Sequence, residues 1–247
     1  MMKLISFFLI VMFYNFSVFS QITEKNNLQF NGTKYDVVII KIDSSISKSF
    51  KIIDNKAQNS EQKMSDSLSK KGLFFISTAG IVDADCNFIG LYINSGNKVA
   101  DINLSDASSG NFFLKPNGFI GFQDDNIVIK KAEEFSLSDN YNNAVQSGPM
   151  LISDNAINAK FDKNSRNKNI RIAAGIYSEN GSNFLVFAKS LMPVTFYQFA
   201  VLFSEKFKCD NALNLESGNY CSYRLPSSKV VPDKNRVVCK YLYLPLK

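Results

Sequence analysis

The chain has 247 residues, of which 45% are hydrophobic and 20% are charged, so a single folded globular domain is favoured over a disordered chain. It contains no histidine, which excludes Ser-His-Asp and Cys-His catalysis and any zinc site built on Cys and His. The formal net charge is +6, but Lys and Arg are interspersed with acidic residues without a basic stripe, so we predict no nucleic-acid partner.

The first segment has the features of an export signal. A short basic start is followed by an apolar run at residues 4–14 and by small residues at the −3 and −1 positions of a cleavage site within 18–20. The apolar run is short for a membrane span. We therefore predict a signal peptide at residues 1–20 and a mature domain at 21–247. The protein would then be periplasmic or secreted, with no stable membrane span after signal removal; a retained N-terminal anchor is the alternative.

Short apolar runs separated by turn residues predict many strands. Residues 35–42 are rich in β-branched side chains, and residues 49–53 alternate as a hairpin partner would. The polar residues 56–71 fit an exposed helix, and the continuous apolar run at 73–76 fits a buried central strand. Further strands are predicted at residues 88–93, 111–114, 119–122, 127–129, 144–152, 170–177, 184–188 and 212–215.

The clearest helix is predicted at residues 195–207. Thr195 can cap its first turn, and its phenylalanines fall on one face at helical spacing, which is typical of core packing. With few helices among many strands, the predicted fold class is α+β. We expect a mixed, largely antiparallel sheet within a single domain.

Four cysteines are present: Cys86, Cys209, Cys221 and Cys239. They allow three disulfide connectivities, and export would place them where disulfides persist. The sequence leaves two alternatives open. One is a link among the last three cysteines that ties down the C-terminal segment, and the other is buried free thiols.

Six blocks, each an apolar run followed by a loop, occur in order along the chain. They are residues 77–83 (STAGIVD), 90–93 (GLYI), 110–118 (GNFFLKPNG), 146–151 (QSGPML), 171–175 (RIAAG) and 212–218 (ALNLESG). Over about residues 70 to 224 these blocks resemble the phosphodiester glycosidase family, and in particular its exported bacterial branch. The resemblance implies a hydrolase that cleaves the bond between the anomeric carbon of a sugar and a phosphate oxygen.

Three residues within these blocks are candidate catalytic groups. Arg171 would hold phosphate, because a guanidinium fork binds phosphate at two points; a surface arginine in a solvated pair is the structural alternative. Glu216 would be the working carboxylate, either as a base toward water or as a stabiliser of positive charge on the sugar. Asp83 is the candidate second carboxylate. Together with Glu216 it could act in acid–base chemistry or bind a divalent cation, and no cofactor is otherwise indicated.

Nine residues are candidate substrate contacts. Gln146 could reach a sugar hydroxyl while backbone N–H groups of the turn after it hold an anion, with a tight turn as the structural alternative. Asn111 and Asn117 offer amides for sugar recognition, although Asn117 also fits a left-handed position in its own turn. The set is Thr78, Gly80, Asn111, Asn117, Gln146, Ser147, Gly148, Ser217 and Gly218.

Two positions depart from the family pattern. Members typically have Asn-Ala-Gly where this chain begins with Thr78, and Asp-Gly where it has Glu216 and Ser217. Threonine lacks the paired donor and acceptor of an amide, and glutamate carries its carboxylate about one methylene further out. Two functions therefore remain open. One is an exported hydrolase of sugar phosphodiesters, and the other is a carbohydrate- or phosphoglycan-binding protein that has lost catalysis.

Overall fold

The structure is a computed structural model that describes residues 21–55, 60–106, 110–224 and 238–246. The predicted signal peptide lies outside the described residues, as do residues 56–59 of the predicted polar helix. Within the described ranges, no helix has the length and apolar character needed to cross a membrane.

The described residues form sixteen strands and three short α-helices. The strands are β1 (Ile22–Phe30), β2 (Thr33–Lys41), β3 (Lys51–Asp54), β4 (Leu73–Thr78), β5 (Tyr92–Asn94), β6 (Asn97–Ala100), β7 (Gly118–Phe122), β8 (Ile127–Lys131), β9 (Asn143–Ser147), β10 (Met150–Ser153), β11 (Ala156–Ile157), β12 (Arg171–Glu179), β13 (Ser182–Ser190), β14 (Asn211–Ser217), β15 (Tyr223–Arg224) and β16 (Lys240–Leu246). The helices are α1 (Ser44–Ser49), α2 (Glu61–Ser69) and α3 (Phe196–Val201), and α3 continues into a π-helical segment, Leu202–Lys206.

The strands form three sheets. Their orders are β1-β2-β13-β12-β14-β10-β11, β6-β5-β9-β7-β8 and β15-β4-β16-β3. All pairings between the described strands are antiparallel. The predicted antiparallel, helix-poor single domain is thus confirmed in outline, but the fold is predominantly β rather than an even mixture of helix and sheet.

One core joins the three sheets into a single domain. Phe187 and Leu213 from the seven-stranded sheet, Val145 from the five-stranded sheet, and Phe75 and Leu242 from the four-stranded sheet are fully buried in one cluster, the central core. A second cluster, the outer cluster, covers the opposite face of the seven-stranded sheet with α3 and the segment after it. Side chains of β12 and β14 therefore point alternately into two different apolar layers.

Both predicted helices are present near their predicted positions. The predicted helix at 195–207 is α3 plus the π-helical segment. Thr195 caps it as expected, because its hydroxyl accepts from the Gln198 N–H at 3.1 Å and the Gln198 side chain accepts in return from the Thr195 N–H. Of the predicted helix at 56–71, the part that is helical among the described residues is α2 (Glu61–Ser69).

One predicted strand is absent, and two others form with a different pairing or continuity from those expected. Residues 49–53 do not pair with β2, because α1, capped by Asp43, redirects the chain and β3 pairs with β16 instead. Residues 111–114 form a 3-10 turn rather than a strand. Residues 144–152 form two strands in different sheets, because Pro149 has no N–H with which to continue the ladder.

The observed disulfide joins Cys86 and Cys239, whose Cα atoms are 5.4 Å apart. The predicted link among the last three cysteines is wrong. Cys209 belongs to the outer cluster and Cys221 to the central core, so these two buried thiols lie on opposite faces of a sheet. The bond that does form ties the loop after β4 to the residue before β16.

Candidate active site

A cavity of about 450 Å³ lies beside the ends of β4 and β14. Its walls come from the loop after β4, the end of β14 with the turn that follows, and residues 238–240 with the disulfide. We call it the Glu216 cavity. Four residues of the predicted site line it: Thr78, Gly80, Asp83 and Glu216.

A β-bulge determines the direction in which Glu216 points. Glu216 is paired with Ile172 of β12, whereas Asn214 is paired with the next residue, Ala173, so Leu215 is the extra residue of β14. Paired residues share a face of the sheet, and Ile172 faces the central core. The bulge therefore turns Glu216 to the inner face, where the cavity lies. Bulges commonly re-aim one side chain in this way beside functional sites.

The carboxyl group of Glu216 is partly buried and has few polar contacts. Its Oε1 accepts a hydrogen bond from the Ser217 N–H at 2.8 Å, and no cation among the described residues forms an ion pair with it. Burial raises the pKa of Glu216 from 4.5 to about 7, opposed by that single hydrogen bond. A carboxyl group that exchanges its proton near neutral pH is suited to acid–base work.

Burial of Glu216 makes the protein less stable as the pH rises. Between the unfolded pKa of 4.5 and the folded pKa of about 7, the folded protein retains a proton that the unfolded chain has released. The free energy of unfolding should therefore fall across this window by about 1–3 kcal/mol and level off above it. Urea unfolding at several pH values measures the effect. Glu216→Gln should lack this component, and an identical pH dependence in both proteins would contradict the burial of an ionisable carboxyl.

Lys240 lines the same cavity and was missed by the sequence reasoning. It is 5% exposed, and its Nζ lies 2.6 Å from the carboxylate of Asp54. The ammonium also lies 5.8 Å and 5.9 Å from the ring centroids of Phe88 and Tyr92. Burial without this ion pair would be costly, so Asp54 holds the cation in place. The one hint in the sequence was its position directly after Cys239.

Tyr220 stands at the rim of the Glu216 cavity, and it was also missed. Tyr220 lines the cavity and is 63% exposed. Gly218 makes this placement possible, because it adopts φ +83° and its N–H donates to the Ile170 carbonyl at 2.8 Å. An exposed aromatic ring beside a cavity offers a flat apolar face to a ring-shaped ligand.

Thr78 and Asp83 shape the walls through hydrogen bonds to the backbone. The Thr78 hydroxyl donates to the Tyr220 carbonyl and accepts from the Ser222 N–H, both at 2.9 Å. Asp83 is exposed, and its Oδ1 accepts from the N–H groups of Asp85 and Asn87 at 2.9 Å and 2.8 Å. In the described ranges no group of three His, Cys, Asp or Glu side chains could hold a metal ion.

Arg171 does not lie in the Glu216 cavity. It is paired with Ser217 on the outer face of the sheet, because neighbouring residues of β12 point to opposite faces. The buried guanidinium donates from Nε to the Val194 carbonyl at 3.0 Å and from Nη1 to the Ser217 hydroxyl at 2.8 Å, and it stacks 3.5 Å from the centroid of the Phe196 ring. Burial lowers its pKa to about 10. The prediction that Arg171 lies in one cleft with Glu216 is therefore wrong. The alternative of a surface arginine is wrong as well, because the side chain is buried.

Gln146 and Asn117 use their amides inside the fold. The Gln146 Oε1 accepts from the N–H groups of Leu91 and Asn103 at 3.0 Å and 2.9 Å, and its Nε2 donates to the Asn103 carbonyl at 2.7 Å. Asn117 is buried and donates to the Phe112 carbonyl at 3.2 Å. Neither side chain lines the Glu216 cavity, since a buried amide is satisfied by the nearest backbone groups.

Ser147 and Gly148 support the bulge from behind. The Ser147 hydroxyl donates to the carbonyl of Leu215, the extra residue, at 3.1 Å. The Gly148 carbonyl accepts from the Asn214 side chain at 2.9 Å, and a Cβ at Gly148 would come within 2.8 Å of the Asn117 Cβ. The turn predicted to bind an anion thus acts on Glu216 indirectly, by fixing the strand that carries it. Asn111 lies elsewhere, in a second cavity.

Comparison with known structures identifies this architecture. The catalytic domain of zebrafish N-acetylglucosamine-1-phosphodiester alpha-N-acetylglucosaminidase, auto-inhibited by its pro-peptide, is similar with a TM-score of 0.58 and 15% identity, over 92% of this chain and 82% of that one. A hypothetical protein from Synechocystis is similar with a TM-score of 0.53 and 13% identity, over 92% of this chain and 62% of that one. At such identities the likeness establishes the fold.

Sequence comparison identifies the family. The phosphodiester glycosidase profile matches residues 71–225, and the chain belongs to the phosphodiester glycosidase family. Over 137 residues it is also 33% identical to the uncharacterized protein YigE of Escherichia coli (strain K12). That match covers 56% of this chain and 52% of YigE, so it spans about half of the relative's length. The family match includes Glu216 and its bulge but ends before Lys240.

Proposed function

We propose that this protein is an exported hydrolase that cleaves a sugar phosphodiester between the anomeric carbon and the phosphate oxygen, with Glu216 as its working carboxylate. The family supports a glycosidase-type reaction on a sugar-type substrate. The observation that carries the proposal is the bulge, which aims a carboxyl group with a pKa of about 7 into a cavity of about 450 Å³. A cavity of this volume accommodates a sugar phosphate.

The ionised form of Glu216 is the active one. As a base, its carboxylate takes a proton from the water that attacks the anomeric carbon, while the bond to the phosphate oxygen breaks. As an electrostatic group, the same carboxylate stabilises the positive charge that develops on the sugar ring. In both roles the water oxygen ends on the sugar, and the phosphate leaves as a monoester. The proton of the water goes to Glu216 in the first role and to the departing phosphate monoester in the second, so the step needs no further acid or base.

Other residues that line the Glu216 cavity also have roles in this reaction. Lys240 supplies the cation of the cavity, and we place the phosphate beside it. The exposed ring of Tyr220 stacks against the sugar at the rim. Thr78 and Glu216, the two positions that depart from the family pattern, line the same cavity.

Arg171 is a positioning residue in this proposal. Its guanidinium holds the Ser217 hydroxyl at 2.8 Å, and the Ser217 N–H in turn donates to the Glu216 carboxylate at 2.8 Å. Export through residues 1–20 belongs to the same proposal. The mass of the protein isolated from producing cells tests that point, because cleavage should leave Gln21 as the first residue.

Hydrolysis of a synthetic N-acetylglucosamine 1-phosphodiester tests the proposed function. Free N-acetylglucosamine should accumulate to many equivalents per protein molecule, and an aryl N-acetylglucosaminide without phosphate should react far more slowly. Saturable binding of the diester with no released sugar would contradict the hydrolase. That result would instead identify a binding protein that has lost catalysis.

A further inference from the structure

A second cavity, of about 370 Å³, lies on the outer face of the seven-stranded sheet. The turn at 110–114, the segment 160–167 and the first residues of α3 form its walls. None of its described lining residues also lines the Glu216 cavity. The catalytic proposal therefore does not account for this cavity.

The segment that borders the second cavity is strongly basic. Residues 160–168 contain four cations and one carboxylate: Lys160, Asp162, Lys163, Arg166 and Lys168. Four positive charges less one negative give +3, against +6 for the whole chain. Lys160 and Asp162 line the cavity itself, and the Asp162 carboxylate accepts from the Asn164 N–H at 2.8 Å. The excess positive charge therefore comes from the neighbouring Lys163, Arg166 and Lys168. A basic border of this kind attracts anions.

Arg171 adds a buried positive charge behind the same cavity. Its guanidinium stacks on Phe196 and donates from Nη2 to the Asn167 carbonyl at 3.4 Å, and both of these residues line the cavity. Its other hydrogen-bond acceptors are the Val194 carbonyl and the Ser217 hydroxyl, and within the described ranges no carboxylate pairs with it. Because no carboxylate neutralises the charge of this buried guanidinium, it contributes a positive electrostatic potential at the base of the cavity.

The walls also carry groups that recognise a sugar ring. Asn111 lines the cavity, and its side chain forms no hydrogen bond with the other described residues, so its amide is available. Tyr197 contributes a partly exposed ring, and the Lys163 Nζ lies 5.4 Å from its centroid. Phe196 is held rigidly between Arg171 and a stacked Phe161, whose ring centroid is 5.2 Å away. Amide, aromatic ring and ammonium together suit a sugar with an acidic substituent.

We propose that the second cavity binds a negatively charged saccharide unit, with its phosphate or carboxylate against Lys160 and Lys163 and its hydroxyl groups against Asn111. This site is separate from the Glu216 cavity and does not depend on catalysis there. A protein with both sites contacts one anionic glycan at two places. Binding of the glycan at one site then raises its effective concentration at the other site.

Amide NMR titrations of the purified protein test this site. Glucose 6-phosphate and glucuronic acid should shift the amides of residues 110–114 and 160–167, whereas neutral glucose should not. Asn111→Ala and the double variant Lys160→Gln/Lys163→Gln should each weaken binding by about fivefold to tenfold. The matched control is Lys25→Gln/Lys41→Gln, two exposed lysines of β1 and β2, which should leave the affinity unchanged.

Three outcomes would overturn the second site. Shifts confined to the Glu216 cavity would remove it, and equal losses in the control pair would reduce it to general charge attraction. Binding of inorganic phosphate alone as tightly as the sugar phosphate would show that no saccharide is recognised. An inactive protein that still binds at residues 160–167 would refute the proposed hydrolysis but leave this inference intact.

Discussion

Replacing Glu216 with glutamine is expected to lower kcat for a sugar phosphodiester by about 10²–10⁴-fold. Glutamine has nearly the same shape, and its side-chain carbonyl can still accept from the Ser217 N–H that now contacts Oε1. It can neither take a proton from water nor carry negative charge toward the sugar. The loss should therefore appear in kcat, with KM changed little, because the walls of the cavity remain in place.

The matched control for this substitution is Glu205→Gln. Glu205 is an exposed glutamate of the π-helical segment and does not line the Glu216 cavity. It should retain full activity. Circular dichroism and thermal unfolding should show that both variants are folded. If Glu216→Gln kept more than about a tenth of the wild-type kcat, Glu216 would not be the acid–base group.

The second large effect is on the pH dependence of the reaction. With a pKa of about 7, Glu216 is ionised in about 1% of molecules at pH 5 and in most molecules at pH 8. Because the ionised form is active, kcat should rise about tenfold per pH unit below pH 7 and approach a plateau above it. The substrate diester is anionic throughout this range and adds no inflection of its own.

Steady-state rates from pH 5 to pH 9 measure this profile. Asp83 and Lys240 also line the cavity, so Asp83→Asn should be measured in parallel to assign the inflection to Glu216. A profile that falls with rising pH through about 7 would show that Glu216 acts as a proton donor instead. An inflection that moves with Asp83→Asn would assign the titration to Asp83.

Local features of the fold could be predicted from the sequence, and long-range ones could not. Alternating and β-branched runs located β2, β7 and β12, and the Thr195 cap marked the start of α3. The three-sheet assembly depends on pairings between segments far apart, such as β3 with β16, for which no local pattern exists. Hydrophobic periodicity also could not show that Pro149 divides one apolar run between two sheets.

Part of the candidate site followed from the family blocks alone. Thr78, Gly80, Asp83 and Glu216 were predicted together, and the structure places them around one cavity. The direction of Glu216 was not predictable, because it depends on one extra residue in the register of β14 with β12. Lys240 lies beyond the blocks and reaches the cavity through the pairing of β16 and the disulfide beside it.

Several predicted substrate contacts lie outside the Glu216 cavity because the fold already uses their polar groups. Gln146 and Asn117 are buried amides that hold loops together, and Ser147 supports the bulge. A sequence shows that such side chains can bind a sugar but not whether the fold already occupies their hydrogen bonds. Arg171 was predicted to share the site with Glu216, and only the register of β12 with β14 shows that it lies on the other face of the sheet.

Identification of the bond that is cleaved tests the central claim most directly. When a sugar phosphodiester is hydrolysed in ¹⁸O-labelled water, mass spectrometry of the phosphate monoester shows which atom received the water oxygen. Attack at the anomeric carbon, with Glu216 as the carboxylate, predicts a monoester without label. Label in the monoester would show attack at phosphorus, and the protein would then be a phosphodiesterase rather than a glycosidase.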